Sequence, residues 1–141
     1  MEELIKRYEY EVVANDFDIA GSASSAIKRN LKSIGVDPGI VRKVAIVSYE
    51  AEINIIIHSK GGVMCLEIYR DRLTIRAHDN GPGIMNIELA MSEGFSTATN
   101  EAREFGFGAG MGLPNMKKYS DNFNITSSSD GTKIDIDIYM D

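Results

Sequence analysis

Four glycines at every second position form the clearest chemical signal in this chain: Gly106, Gly108, Gly110 and Gly112, just before a predicted helix. Because glycine has no Cβ, the backbone N–H groups of such a run can approach an anion closely. The N-terminus of the following helix adds unpaired donors and partial positive charge. The segment could therefore cradle a phosphate group. The alternative is a flexible linker or a packing site.

Two common phosphate-binding motifs fit this run poorly. A dinucleotide-binding fingerprint should follow a strand directly, whereas residues 92–105 are polar and predict a loop. A P-loop needs a Lys-Ser or Lys-Thr pair after its glycines, and none follows here. The class of phosphate site must therefore be decided by the motifs upstream.

The second motif is Asp79-Asn80-Gly81-Pro82-Gly83-Ile84, after an alternating stretch that predicts a strand. A carboxylate at this strand end, facing a pocket, can accept a hydrogen bond from an amino group. A ligand without that donor would leave the carboxylate unpaired, so the group would discriminate strongly. The alternative is that Asp79 closes the strand through an Asx turn.

The third motif is a polar pair, Glu50 and Asn54, flanked by isoleucines. Residues four apart are neighbours on a helix surface, and Asp37-Pro38 is a good start for that helix. We do not expect a polar pair in such apolar surroundings to be fully solvated. The alternative is that the two side chains hydrogen-bond to each other at the helix edge. A second acid, Glu52, is set apart from the pair by the helix geometry, and we predict no catalytic role for it.

In this order, the three motifs resemble the ATP-binding fold of the GHKL superfamily, which includes DNA gyrase, Hsp90, histidine kinases and MutL. The resemblance covers roughly residues 12–140. It is strongest to the small bacterial anti-sigma factor and serine-protein kinase family, and within it to the switch-kinase branch. The stretches that carry this are Glu50 to His58, Asp79 to Ile84, Met91 to Thr97 and Gly108 to Lys118.

The resemblance implies a role for each motif. Glu50 would be the general base that activates a serine or threonine hydroxyl, and Asn54 would ligate Mg²⁺. Asp79 would accept the adenine amino group, and Thr132 would close the adenine side. The remaining nucleotide-binding residues would be Gly81, Gly83 and Ile84 at the adenine, Gly108, Ala109, Gly110, Met111, Gly112 and Leu113 at the phosphates, and Arg103, in a lid at residues 92–107, at the γ-phosphate.

The implied activity is that of an ATP- and Mg²⁺-dependent serine/threonine protein kinase that phosphorylates a STAS-domain antagonist protein in a partner-switching system. The alternative is a nucleotide-gated anti-sigma factor that sequesters a sigma factor. A phosphatase and a second copy of the chain are further partners that the resemblance allows. A scaffold that binds nucleotide without transferring phosphate is disfavoured, because it would not need Glu50.

Composition narrows the class of protein. The 141 residues predict one domain, at 1–141, with 43% hydrophobic and 26% charged residues. A net charge of −6 argues against nucleic acid as a main partner. No apolar run approaches the roughly 18 residues of a membrane span, and acids near the N-terminus argue against a signal peptide. We therefore expect a cytoplasmic protein with no membrane partner. Its single cysteine, Cys65, is expected in a core strand.

Periodicity predicts an α/β fold: a two-layer sandwich with a mixed, mostly antiparallel sheet and helices on one face. In the last strand, isoleucines alternate with aspartates, which indicates one buried face and one wet face. Strands are predicted at 8–13, 63–69, 73–78, 123–127 and 133–139, and helices at 21–34, 38–59, 86–91 and 112–119.

Overall fold

The computed structural model describes residues 3–83, 91 and 112–140. Its strands are β1 (Leu4–Val12), β2 (Gly62–Tyr69), β3 (Arg72–Asp79), β4 (Asn122–Ser128) and β5 (Gly131–Tyr139). Its helices are α1 (Ser22–Ser33), α2 (Pro38–His58) and α3 (Gly112–Tyr119), with a short 3₁₀ turn at Phe17–Ile19. The strands form one sheet in the order β1-β2-β3-β5-β4. The pairings among these strands are all antiparallel.

Alternation along the strands separates an apolar face of the sheet from a polar one. In β5, Ile134, Ile136 and Ile138 are buried in one cluster with the apolar residues of β2, β3 and the helices. Asp135 and Asp137 alternate with them and make ion pairs with arginines instead. The helices therefore cover the isoleucine face, and the predicted two-layer α/β fold is confirmed.

Cys65 is buried in β2 with 6% exposure, as expected for a core strand residue, but its side chain lies on the polar face of the sheet. It alternates with Met64 and Leu66, which are fully buried in the core, and its thiol accepts a hydrogen bond from Arg7 at 3.0 Å. Burial raises the pKa of the Cys65 thiol. The neighbouring Glu67 sits on the same face. The thiol is thus covered by charged side chains rather than by the helices.

The central helix, α2, begins as the sequence predicts. The Asp37 carboxylate accepts a hydrogen bond from the Gly39 N–H at 3.0 Å, and Pro38 occupies the first turn. This cap fixes the start of α2, which then packs between α1 and α3 over the sheet. None of the helices in the described residues is long and apolar enough to span a bilayer.

The edge strand β1 begins at Leu4, four residues before the predicted start at residue 8. Its first residues are exposed on both sides, so they show no burial alternation that a sequence pattern could detect. Pairing with β2, from Leu4 opposite Tyr69 to Val12 opposite Gly62, extends the strand.

Candidate nucleotide site

Asp79 ends β3 with one carboxylate oxygen held by two backbone donors. Its Oδ1 accepts hydrogen bonds from the N–H of Gly81 and the N–H of Thr132, each at 2.9 Å. The first bond is the Asx turn that the sequence suggested as an alternative, and the second ties β3 to β5. No described residue donates a hydrogen bond to Oδ2. The two backbone bonds therefore fix the orientation of the carboxylate, and its second oxygen has no donor in the described part of the chain.

Thr132 lies beside Asp79 and is only 2% exposed. Its hydroxyl is 2.9 Å from the hydroxyl of Ser127 across the β4–β5 hairpin. The structure thus brings the two predicted adenine contacts, Asp79 and Thr132, into direct contact. Ser127 was not singled out by the sequence, because a serine in a strand gives no signal until its cross-strand neighbour is known.

The glycines after β3 allow this loop to pack against the β4–β5 turn. A Cβ on Gly83 would overlap the carbonyl oxygen of Ser128, and one on Gly131 would overlap the carbonyl oxygen of Asp79. Gly81 has a φ of +94°, and a Cβ there would lie 2.9 Å from the carbonyl oxygen of Ser129. These glycines are therefore required by chain packing.

Glu50 and Asn54 both lie half-buried on α2, one turn apart. Burial raises the pKa of the Glu50 carboxyl, and a hydrogen bond from the side-chain amide of Asn115 opposes that rise. The alternative of a Glu50–Asn54 hydrogen bond is not what the structure shows, because no such bond joins these two described residues and Asn54 is not among the groups that shift the pKa of Glu50. Among the described residues, none hydrogen-bonds the Asn54 side chain.

The helix that follows the glycine run begins beside Glu50. A Cβ on Gly112 would lie 3.3 Å from Oε2 of Glu50, so the first turn of α3 meets the carboxylate directly. Leu113 and Met116 anchor α3 in the core, with 5% and 0% exposure. Two motifs far apart in sequence, the polar pair and the end of the glycine run, thus meet at one place.

Glu52 has a different partner from Glu50. It is 2% exposed and accepts hydrogen bonds from the N–H groups of Gly21, Ala23 and Ser24 at 3.1, 3.2 and 2.9 Å. Its carboxylate therefore caps the N-terminus of α1. This agrees with the prediction that it lies apart from the Glu50–Asn54 pair.

The two histidines near these motifs, His58 and His78, lie on different elements of the fold. Burial lowers the pKa of His58, the last residue of α2. His78 lies on the polar face, 3.2 Å from Asp135, and points away from its sequence neighbour Asp79. No His–Asp dyad therefore forms between residues 78 and 79, as strand alternation predicts.

Several predicted contacts lie outside the described residues, together with the predicted helix at 86–91. These are Ile84, Arg103, Gly108, Ala109, Gly110 and Met111. Asn115 was not among the predicted site residues. The sequence feature that could have identified Asn115 is its polar side chain three residues after Gly112, a spacing that places these two residues on the same side of α3.

An antiparallel sheet covered by helices on one face, with an aspartate at a strand end and a Glu/Asn pair on the central helix, defines a class of ATP-binding domains. Residues 39–140 match the family described as histidine kinase-, DNA gyrase B-, and HSP90-like ATPase. The chain belongs to this family, so it carries an ATP-binding domain.

Two characterised relatives refine the comparison. The chain is 33% identical over 130 residues to the serine/threonine-protein kinase RsbT of Bacillus subtilis, which covers 86% of this chain and 89% of that protein. It is 40% identical over 91 residues to the anti-sigma F factor of Clostridium acetobutylicum, with 60% of each chain covered. The predicted resemblance to the anti-sigma factor and serine-protein kinase family is confirmed.

Proposed function

We propose that this protein is an ATP- and Mg²⁺-dependent serine/threonine protein kinase of a partner-switching system, with a STAS-domain antagonist as its phosphoacceptor. The observation that carries the proposal is the environment of Glu50. The carboxyl is half-buried, burial raises its pKa, and it is held between Asn115 and the first turn of α3. Similarity to a named serine/threonine-protein kinase over most of both chains supports the same activity.

Asp79 would select the base of the nucleotide. With Oδ1 occupied by two backbone donors, Oδ2 is the oxygen that would accept the amino group of adenine. Guanine presents an acceptor oxygen at the equivalent position, which would face the carboxylate without a proton between them. A buried mismatch of this kind is costly, so the site should prefer ATP to GTP.

Asn54 fits a Mg²⁺ ion that is held mainly by phosphates. Its half-buried amide lies one turn from Glu50, and Mg²⁺ usually keeps several waters and takes only one or two ligands from the protein. When bound, the ion would neutralise charge on the phosphates during transfer. The protein's own contribution is to hold the amide oxygen beside the base.

Glu50 would act on the acceptor hydroxyl. As the hydroxyl oxygen forms its bond to the γ-phosphorus, Glu50 takes the hydroxyl proton. The bond between the γ-phosphorus and the β–γ bridging oxygen breaks, and ADP leaves with that electron pair. A glutamate whose pKa is raised by burial is a stronger base than a solvated one, which suits it to this step.

A second candidate function is nucleotide-gated sequestration of a sigma factor. The similarity to an anti-sigma F factor favours it. Such a protein would use the same nucleotide contacts, so the pocket does not separate the two functions.

The test is phosphate transfer from radiolabelled ATP to purified STAS-domain proteins of the same genome, with Mg²⁺ present. We expect transfer to one of them, and we expect Glu50→Ala to abolish it while ATP still binds. Glu11→Ala, an exposed edge-strand change, is the matched control and should transfer normally. Transfer by a nucleotide-bound Glu50→Ala protein would contradict the base assignment. Absence of transfer together with tight binding of a sigma factor would favour sequestration.

A further inference from the structure

A groove of about 740 Å³ lies between α1 and α2 and reaches Glu50 at one end. Along α2 its lining runs from Pro38 to Glu50, a distance of about 18 Å at the helical rise of 1.5 Å per residue. We call this surface the α1–α2 groove. It therefore leads along the helical layer to the side chain proposed as the base.

The groove is basic on a chain that is acidic overall. Lys28, Lys32 and Arg42 line it, and Glu50 is the one acid among the described residues of its lining. All three cations are exposed, and within the described part of the chain no carboxylate approaches them to ion-pair distance. The chain as a whole carries a net charge of −6. Positive charge is thus concentrated beside the reaction site, with no partner from the described residues.

The groove also offers apolar contact next to Glu50. Ala45 and Ile46 are half-buried along it, and Tyr49 is 38% exposed. The ring of Tyr49 lies at the start of α1, where a Cβ on Gly21 would be 3.4 Å from it. A second hollow of about 570 Å³ lies beside the same ring. Partly exposed tyrosines flanked by hollows are frequent anchors of protein interfaces.

We propose that the α1–α2 groove docks an acidic segment of the phosphoacceptor protein and presents its hydroxyl to Glu50. This inference rests on the proposed kinase function and names the partner surface that the site would accept. Acidic side chains of the segment would pair with Lys28, Lys32 and Arg42, and an apolar side chain would rest on Tyr49. Because the rest of the chain repels acidic partners, the charge pattern would also fix where the segment binds.

The test is fluorescence anisotropy with two labelled peptides and the full chain. One peptide alternates glutamate and leucine around a central serine, and the other has lysine in place of glutamate. We expect the acidic peptide to bind and the lysine peptide not to bind. The double variant Lys28→Glu/Lys32→Glu should weaken acidic-peptide binding by at least about tenfold. The control Lys6→Glu/Lys43→Glu makes the same change in net charge at exposed lysines outside the groove, and should weaken binding less than about twofold.

Three results would overturn the docking proposal: no binding of the acidic peptide, equal binding of both peptides, or equal losses in the two double variants. Calorimetric titration with ATP separates docking from catalysis, since both double variants should bind ATP like the unmodified chain. Asp79→Asn should lose ATP and keep the peptide. Peptide binding without phosphate transfer to any acceptor would count against the kinase proposal and leave the docking surface standing.

Discussion

The side-chain amide of Asn115 on α3 lies close enough to the carboxylate of Glu50 on α2 to lower the pKa of that carboxyl. This contact joins the helix that follows the glycine run to the residue proposed as the base. A hydrogen bond to the ionised form favours that form. Asn115 is therefore inferred to be a positioning residue, which orients the carboxylate and limits the rise of its pKa.

Replacing Asn115 should raise the pKa of Glu50 further. In Asn115→Leu the burial that already raises this pKa would be unopposed, so the carboxyl should titrate at higher pH than in the unmodified chain. The measurement is an NMR titration of ¹³C-labelled glutamate carboxyls, with Glu50→Gln used to assign the resonance. Since a base must be deprotonated, the acid limb of the transfer rate should move to higher pH as well. An unchanged Glu50 titration would show that the amide has no such role.

Glu52 should matter for stability rather than for catalysis. Glu52→Ala would leave three backbone donors at the start of α1 without their acceptor, and we expect the free energy of unfolding to fall by about 3–5 kcal/mol. Urea denaturation followed by circular dichroism measures this. The matched control is Glu50→Gln on the same helix, for which we expect a loss below about 1 kcal/mol. Equal losses at the two positions would contradict the assignment of Glu52 as the cap of α1.

Alanine substitutions at Gly81 and Gly35 can separate the cost of a steric clash from the cost of a strained backbone, because both glycines have positive φ but only Gly81 is closely packed. Their φ angles are +94° and +81°, but a Cβ on Gly81 would meet the carbonyl oxygen of Ser129 at 2.9 Å, whereas one on Gly35 would meet nothing within 4 Å. Each alanine should cost about 1–2 kcal/mol for the left-handed conformation. Gly81→Ala should cost more and should also weaken ATP binding, because it displaces the loop that positions Asp79. Calorimetry showing equal ATP affinity in the two variants would contradict the placement of this loop at the nucleotide.

His58 should make the fold less stable in mild acid. Burial lowers its pKa from the ordinary value of 6.5, so the unfolded chain binds the proton at higher pH than the folded chain does. The free energy of unfolding is therefore not reduced by His58 above pH 6.5, where the imidazole is neutral in both states. It falls as the pH is lowered below that value, because the unfolded chain takes up the proton first. Denaturation midpoints of His58→Gln should therefore fall less than those of the unmodified chain between about pH 7.5 and 5.5. Parallel curves would show that His58 contributes nothing to acid sensitivity.

Local signals in the sequence predicted much of the fold. The bounds of α3, the Asp37 cap of α2 and the alternating faces of β5 follow from spacing, capping and periodicity, which act over a few residues. The resemblance to the GHKL fold predicted Asp79 and Thr132 in one site, and the structure brings these two residues into hydrogen-bond contact.

Contacts between distant segments could not be predicted from local sequence patterns. Three such contacts depend on how helices and strands pack: the approach of Asn115 to Glu50, the Ser127–Thr132 pair and the capping of α1 by Glu52. The sequence predicted Cys65 in a buried strand but did not assign it to one face of the sheet, because a small apolar residue in a strand fits either face until the register is known. Pairing with β1 and β3 puts it on the face of Arg7 and Arg76.

The most direct test of the account is calorimetric titration of the purified chain with ATP and with GTP, each with and without Mg²⁺. We predict ATP-selective binding that Mg²⁺ strengthens, and a loss of at least about a hundredfold in ATP affinity in Asp79→Asn. In that variant the side-chain oxygen would stay with the two backbone donors, and the NH₂ group that replaces Oδ2 cannot accept a hydrogen bond from the adenine amino group. Equal affinity for the two nucleotides, or unchanged ATP binding by Asp79→Asn, would contradict it.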